Sequence, residues 1–236
     1  MFTHINIFNY PKRKIKNLDN STILLLRISF YITNIYMVKQ FKENILLFLV
    51  AGFIIFICFR MYRDSDRYNL KCLVSEVDGN RYCVRDRMMN KESVDLLARV
   101  TKNMTQLVQY MKVTYPNNSS VKFLVSNYSP NRINETLPTS ELTAYSENKG
   151  EKIAFCLNKT TDGKKLIDLN TLTFVAIHEL AHLMTTSIGH KQDFWMNFKF
   201  LLENAIKIKI YIPVDYKKNN QPYCGMNISD NPLFDM

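Results

Sequence analysis

Fifteen consecutive uncharged residues, Ile45 to Phe59 (ILLFLVAGFIIFICF), constrain this chain more than any other feature. The run has no polar face, so it must be covered on all sides by protein or by lipid. As a helix it is about 22 Å long, shorter than the roughly 20 residues of a comfortable span. Lys42 and Arg60 can snorkel outward, and Met61 and Tyr62 add apolar length. A cleaved signal peptide and a buried core helix are the alternatives. Against cleavage, Arg60-Met61-Tyr62-Arg63-Asp64 contains no small-x-small site. The reading adopted is one uncleaved membrane anchor over residues 44–62. It divides the chain into a basic N-terminal segment (1–43), the anchor, a linker or stalk (63–87) and a C-terminal domain (88–236).

Charge orients this arrangement. The chain carries a net charge of +10. Residues 1–67 hold 10 Lys/Arg against 4 Asp/Glu, whereas residues 68–236 hold 21 against 17. The excess therefore flanks the apolar run, where it favours a cytoplasmic N-terminus and a lumenal or external C-terminal domain. Such a protein would be a single-pass membrane species. No basic stripe with interleaved aromatics occurs in the C-terminal part, so no nucleic-acid partner is expected. Ile23–Leu26 is a second, shorter apolar stretch interrupted by Arg27, and Met37 is an alternative start. Two further features agree with export. Eight N-x-S/T sequons are present, beginning at Asn20, Asn103, Asn117, Asn118, Asn127, Asn134, Asn158 and Asn227. Composition alone would give about three. Four cysteines (Cys72, Cys83, Cys156, Cys224) follow the apolar run, an even number that suits disulfides in an oxidising compartment. Three pairings are possible, and free buried cysteines are the alternative.

The chemistry is concentrated in His178-Glu179-Leu180-Ala181-His182. Residues four apart on a helix share a face, so both imidazoles can reach one metal ion. Glu179 is then placed to take a proton from an attacking water as general base. Leu172, Val175, Ala176, Leu180 and Leu183 form an apolar stripe that supports the helix, with Asp168 or Asn170 as N-cap and Gly189 as its C-terminal stop. His190 follows directly and can swing back as a third ligand; three protein ligands with one open position is the catalytic arrangement for zinc. Glu203, on a second amphipathic helix from about 192 to 207, is the alternative third ligand.

His178–His182, followed by Gly189-His190-Lys191-Gln192-Asp193-Phe194-Trp195, resembles the small zinc proteases of the WLM, SprT and YgjP-like group, which share H-E-L-x-H followed by H-x-x-x-F-W or G-H-x-x-x-F. The resemblance is close over residues 168–207 and looser over 88–213, and the chain is similar to membrane-anchored versions encoded by large DNA viruses. It implies a zinc metalloendopeptidase acting on protein or peptide substrates, with His178, His182 and His190 as ligands and Glu179 as base. Seven residues separate His182 from His190, a spacing that differs from that usual in the WLM and SprT groups, so substrate does not transfer. The alternative is a catalytically inactive envelope or binding protein that retains a zinc site.

Periodicity predicts an α+β domain: a helix over 90–113, a strand at 121–125, a loop over 127–140, two strands at 142–146 and 152–157 around Asn148-Lys149-Gly150, the metal helix, a second helix and an irregular tail from 208. Related proteases align the substrate backbone on an edge strand, for which Ile153-Ala154-Phe155-Cys156 is the candidate. Tyr211, Tyr216 and Tyr223 are candidate oxyanion stabilisers.

Overall fold

The computed structural model describes residues 20–63, 69–138, 140–160 and 165–234. The chain divides into two compact units, residues 1–60 and 61–236. The first holds α1 (Asn20–Arg63), 44 residues long and apolar on every side from Ile45 to Phe59. The segment expected as the anchor, residues 44–62, lies within this helix, which continues unbroken back through Arg27 to Asn20, because arginine is a good helix former. Residues 24–63 are long and apolar enough to cross a membrane, and none of their most apolar window is buried within the chain. The basic cluster Lys12 to Lys16 lies outside the described residues.

The second unit is the predicted α+β domain. The segment read as a linker contains a hairpin, β1 (Leu70–Val74) and β2 (Arg81–Arg85), paired so that Cys72 faces Cys83, to which it is disulfide-bonded. This hairpin belongs to the core: Tyr82 and Val84 are buried, and the Arg85 N–H donates to the buried Glu135 carboxylate at 2.7 Å. Arg87 pairs with the same carboxylate at 2.7 Å, which satisfies a charge that would otherwise be costly to bury.

α2 (Asn90–Thr114) buries Val94, Leu97, Thr101, Met104, Leu107 and Met111, spaced three and four apart, and stops where Pro116 excludes a helical Tyr115. The five residues expected as a strand at 121–125 instead belong to a helix, α3 (Ser119–Asn127). The reason is local. The Asn118 side chain caps the turn by accepting the Val121 N–H at 3.1 Å, and Val121 and Leu124, three apart, are buried together while Lys122 is exposed. A short apolar run cannot be assigned by periodicity alone.

β3 (Ile133–Glu135), β4 (Ala144–Glu147) and β5 (Lys152–Phe155) form one sheet in the order β3-β5-β4, with β3 parallel and β4 antiparallel to β5. β3 arises inside the expected loop. β5, the candidate edge strand, is central: Ile153, Ala154, Phe155 and Cys156 are fully buried, and β4 takes the edge instead. The β4–β5 turn uses left-handed backbone at Asn148 (φ 44°), Lys149 (φ 58°) and Gly150 (φ 106°). A Cβ on Gly150 would stand 2.3 Å from the Asn127 carbonyl oxygen, so only glycine allows the turn to dock there.

α4 (Leu169–Met184) is the central helix, capped by Asp168, whose carboxylate accepts the Thr171 N–H at 2.9 Å. It packs against α2, α3 and α5 (Gln192–Lys207). The helix ends at Met184, five residues before the expected stop at Gly189, where Thr185 turns extended. The tail is less irregular than expected. It carries a hairpin, β6 (Gln221–Tyr223) and β7 (Met226–Ile228), and Cys224 is bonded to Cys156 at the end of β5.

Candidate metal centre

α4 carries His178 and His182 one turn apart on one face, and the loop to α5 returns His190 to them. The His190 Nε2 stands 3.1 Å from His178 Nε2 and 3.2 Å from His182 Nε2. Neutral imidazoles have no cause to converge three at a time. Two nitrogens each about 2.0–2.1 Å from a tetrahedral zinc lie about 3.3 Å apart, so the cluster has the spacing of one metal site. His190 is exposed and the other two are half-buried, which leaves one side of the cluster open.

The loop that returns His190 is held at several points. The Lys149 Nζ donates to the carbonyls of Thr185 (2.7 Å), Ser187 (3.1 Å) and His182 (3.3 Å), closing the C-terminal end of α4. Asn197 Nδ2 donates to Thr185 Oγ1 at 2.9 Å, and Ser187 Oγ donates to Asp193 at 2.8 Å. Gly189 supplies a positive φ of 79° just before His190. Beneath the cluster, the fully buried Phe194 ring touches all three imidazoles, with centroids at 4.9, 4.4 and 4.6 Å from His178, His182 and His190.

Electrostatics suits a cation here. Burial, with some repulsion from the neighbouring histidines, pushes His178 down to about 3; burial, His190 and Lys149 push His182 down to about 4. Both rings are therefore neutral near pH 7, the form a metal requires. Glu179 is 4% exposed, and burial, offset in part by the Ser146 hydroxyl, pushes its carboxyl up to about 8. Its Oε2 is buried without a hydrogen-bond partner. An orphaned carboxylate oxygen in the cavity that His178 and His190 also line fits a divalent cation, whose charge would favour the ionised carboxylate.

The family profile of the WLM domain matches residues 84–232, which include the histidine cluster and Glu179. The chain belongs to the WLM domain family. An uncharacterized protein of Acanthamoeba polyphaga mimivirus is 26% identical over 195 residues, covering 80% of this chain and 96% of that protein. Uncharacterized proteins of Invertebrate iridescent virus 6 and Invertebrate iridescent virus 3 are 36% and 37% identical over shorter stretches, 26% and 35% of this chain and 35% and 50% of theirs. No solved structure matches the chain.

Around the WLM domain's histidine cluster, the structure separates the remaining candidates. Glu203 is exposed on α5 and is not part of the cluster. Tyr211 and Tyr216 are core residues whose rings pack on Phe174 at 5.9 and 4.8 Å. Tyr223 alone of the three lines the cavity beside His178 and Glu179, and its hydroxyl donates to the Thr143 carbonyl at 3.0 Å. Sequence reading gave no role in the site to Lys149, which sits in a turn outside any periodicity, or to Phe194, read only as part of the His190-to-Trp195 motif. The sequons also separate. Asn158 is 2% exposed, and Asn103 is half-buried and donates to Thr173 Oγ1 at 3.1 Å, whereas Asn117, Asn118 and Asn227 face solvent.

Proposed function

We propose that this WLM-domain protein is a zinc-dependent metallopeptidase, tethered to a membrane by α1, that hydrolyses peptide bonds in protein segments presented as extended strands. The observation that carries this reading is the convergence of three imidazoles, with His190 Nε2 at 3.1 and 3.2 Å from the other two, and the unpartnered Glu179 Oε2 in the same cavity. Zinc held by His178, His182 and His190 would supply Lewis acidity to the attacking water and the scissile carbonyl. Glu179 then holds the proton taken from water at Oε2 and passes it to the leaving amine; its apolar surroundings hold that proton well. β4 offers the unpaired edge of its sheet to a substrate backbone, adjacent to α4. Tyr223 steadies that edge through Thr143.

A lumenal or external WLM domain is supported by the charge asymmetry about α1 and by the two cystines, Cys72–Cys83 and Cys156–Cys224. Attached glycan on Asn117 or Asn227 in cells would support this topology, and modification of the protein only from the cytosolic side would overturn it. For the chemistry, the full-length protein in detergent, loaded with zinc, is assayed on a denatured-protein substrate beside Glu179→Gln. The variant should keep its zinc and lose at least about 100-fold in rate. Equal cleavage by both proteins would remove Glu179 from the mechanism. Folded, zinc-loaded and inactive parent protein would favour a binding role for the site.

A further inference from the structure

Beside the histidine cluster lies a cavity of 410 Å³ whose walls are mostly apolar. Phe174 and Val175 of α4 and Trp195 and Phe198 of α5 make the inner side. Met226 and Ile228 of the β6–β7 hairpin make the outer side. Trp195 is 42% and Met226 52% exposed, so two large apolar side chains stand at the mouth without cover. The acidic group at the rim, Asp230, is paired with Lys217 at 3.2 Å. The pocket is continuous with His178 and Glu179, which also line it.

The outer wall is not self-supporting. Each strand of the hairpin has three residues, and an isolated two-stranded hairpin is marginal in water. It is held from outside: by the Cys156–Cys224 disulfide, by Cys224 N–H donating to the Asn158 carbonyl at 2.9 Å, and by the Tyr223 hydroxyl on Thr143. The disulfide closes a sequence separation of 68 residues, so it contributes strongly to keeping the wall in place.

We infer that this pocket receives one bulky apolar side chain of the polypeptide substrate, next to the scissile bond, and that the disulfide-latched β6–β7 hairpin is the wall that determines this preference. The inference rests on the peptidase reading for its cleavage consequence, but occupancy of the pocket can be read without catalysis. Trp195 is the single tryptophan of the chain, so its fluorescence reports on the mouth of the pocket alone.

Two measurements on the full-length, zinc-loaded protein in detergent test it. In the first, a mixed peptide pool is digested and the cleavage sites are read by mass spectrometry. Leu, Phe or Met should exceed Ala or Asp on one side of the cleaved bond by about tenfold or more. Met226→Lys, an exposed substitution, should reduce that preference at least severalfold, as should the Cys156→Ser/Cys224→Ser double variant. In the second, Trp195 emission is titrated with a capped tetrapeptide containing Phe and with its Asp counterpart. A saturable shift with the Phe peptide, weakened by Met226→Lys, supports the pocket even if no peptide is cleaved. In that event the peptidase reading fails and the pocket stands. A flat cleavage preference, or emission that responds equally to both peptides, or a preference unmoved by Met226→Lys, overturns the inference.

Discussion

α1 and α4 are both helices apolar on nearly every side, yet they end in opposite surroundings. α4 buries twelve residues, from Thr171 to Met184, and even Glu179 goes inside with them. In α1, Leu46, Phe48 and Phe53 are all exposed within the chain. A helix without a polar face needs an apolar solvent, and the two differ in where that solvent comes from. For α4 the rest of the domain supplies it, through α2, α3 and α5. For α1, a bilayer would. The comparison also explains why the candidate site lies on α4. Only a helix enclosed by protein can hold a carboxyl and two imidazoles at low dielectric beside an open cleft.

The sharpest way to break the comparison is to place the same charge in both helices. Leu180→Arg buries an unpaired guanidinium in the core and should unfold the WLM domain, a loss of about 5 kcal/mol or more. Phe53→Arg should leave the domain's thermal transition unchanged and weaken membrane insertion by roughly 2.5–3.5 kcal/mol. Circular dichroism and carbonate extraction of membranes check the two outcomes. A lowered transition for Phe53→Arg would mean that α1 is a structural part of the domain.

Glu179 sharpens the contrast next. In metal-free protein its folded pKa of about 8 lies above the ordinary carboxyl value. The stability it contributes is therefore fully present below about pH 4.5 and is lost as pH rises through 8, a change of a few kcal/mol. His178 and His182, held neutral at about 3 and 4, add stability as pH rises to about 6.5. Thermal unfolding of the chelated protein should therefore show the fall due to Glu179 from about pH 6.5 to 8, and Glu179→Gln should flatten it there. An unchanged slope in that variant would assign the effect elsewhere.

A smaller effect is expected at Lys149, which closes the end of α4 and holds the loop carrying His190. Lys149→Met should cost about 1–3 kcal/mol of stability, since it leaves carbonyls of that loop without a donor. It should also weaken zinc binding about tenfold as His190 loses its anchor. Chelator competition measures the second quantity directly; zinc affinity equal to the parent's would show that the loop holds itself.

Much of the site was legible because its signal is local. His178, Glu179 and His182 lie within five residues, and helical spacing alone places them on one side of α4. The same reasoning failed at α3, where four apolar residues among five carried too little period to separate helix from strand and the deciding contact was a side-chain cap from Asn118. It failed again at β5. Its composition, Ile153-Ala154-Phe155, marks a strand, but whether a strand is central or at the edge depends on which partners pair with it, and β3 reaches it from twenty residues upstream in parallel register.

The sequence by itself determined that residues 45–59 need an apolar environment, that the paired-histidine motif with its glutamate lies on a helix, and that the remainder folds as helices around a small sheet. Only the tertiary structure brought His190 beside the pair and left Glu203 outside the cluster, put β4 at an edge of its sheet, bonded Cys156 to Cys224, and brought Tyr223 and Met226 to line the cavity. The physical reason is the range of the forces involved. Helical period and capping act within four residues and are written in adjacent letters. Histidine convergence, strand order and pocket walls come from the packing of segments that can be 80 residues apart, as Thr143 and Tyr223 are, and they appear only when the core has closed.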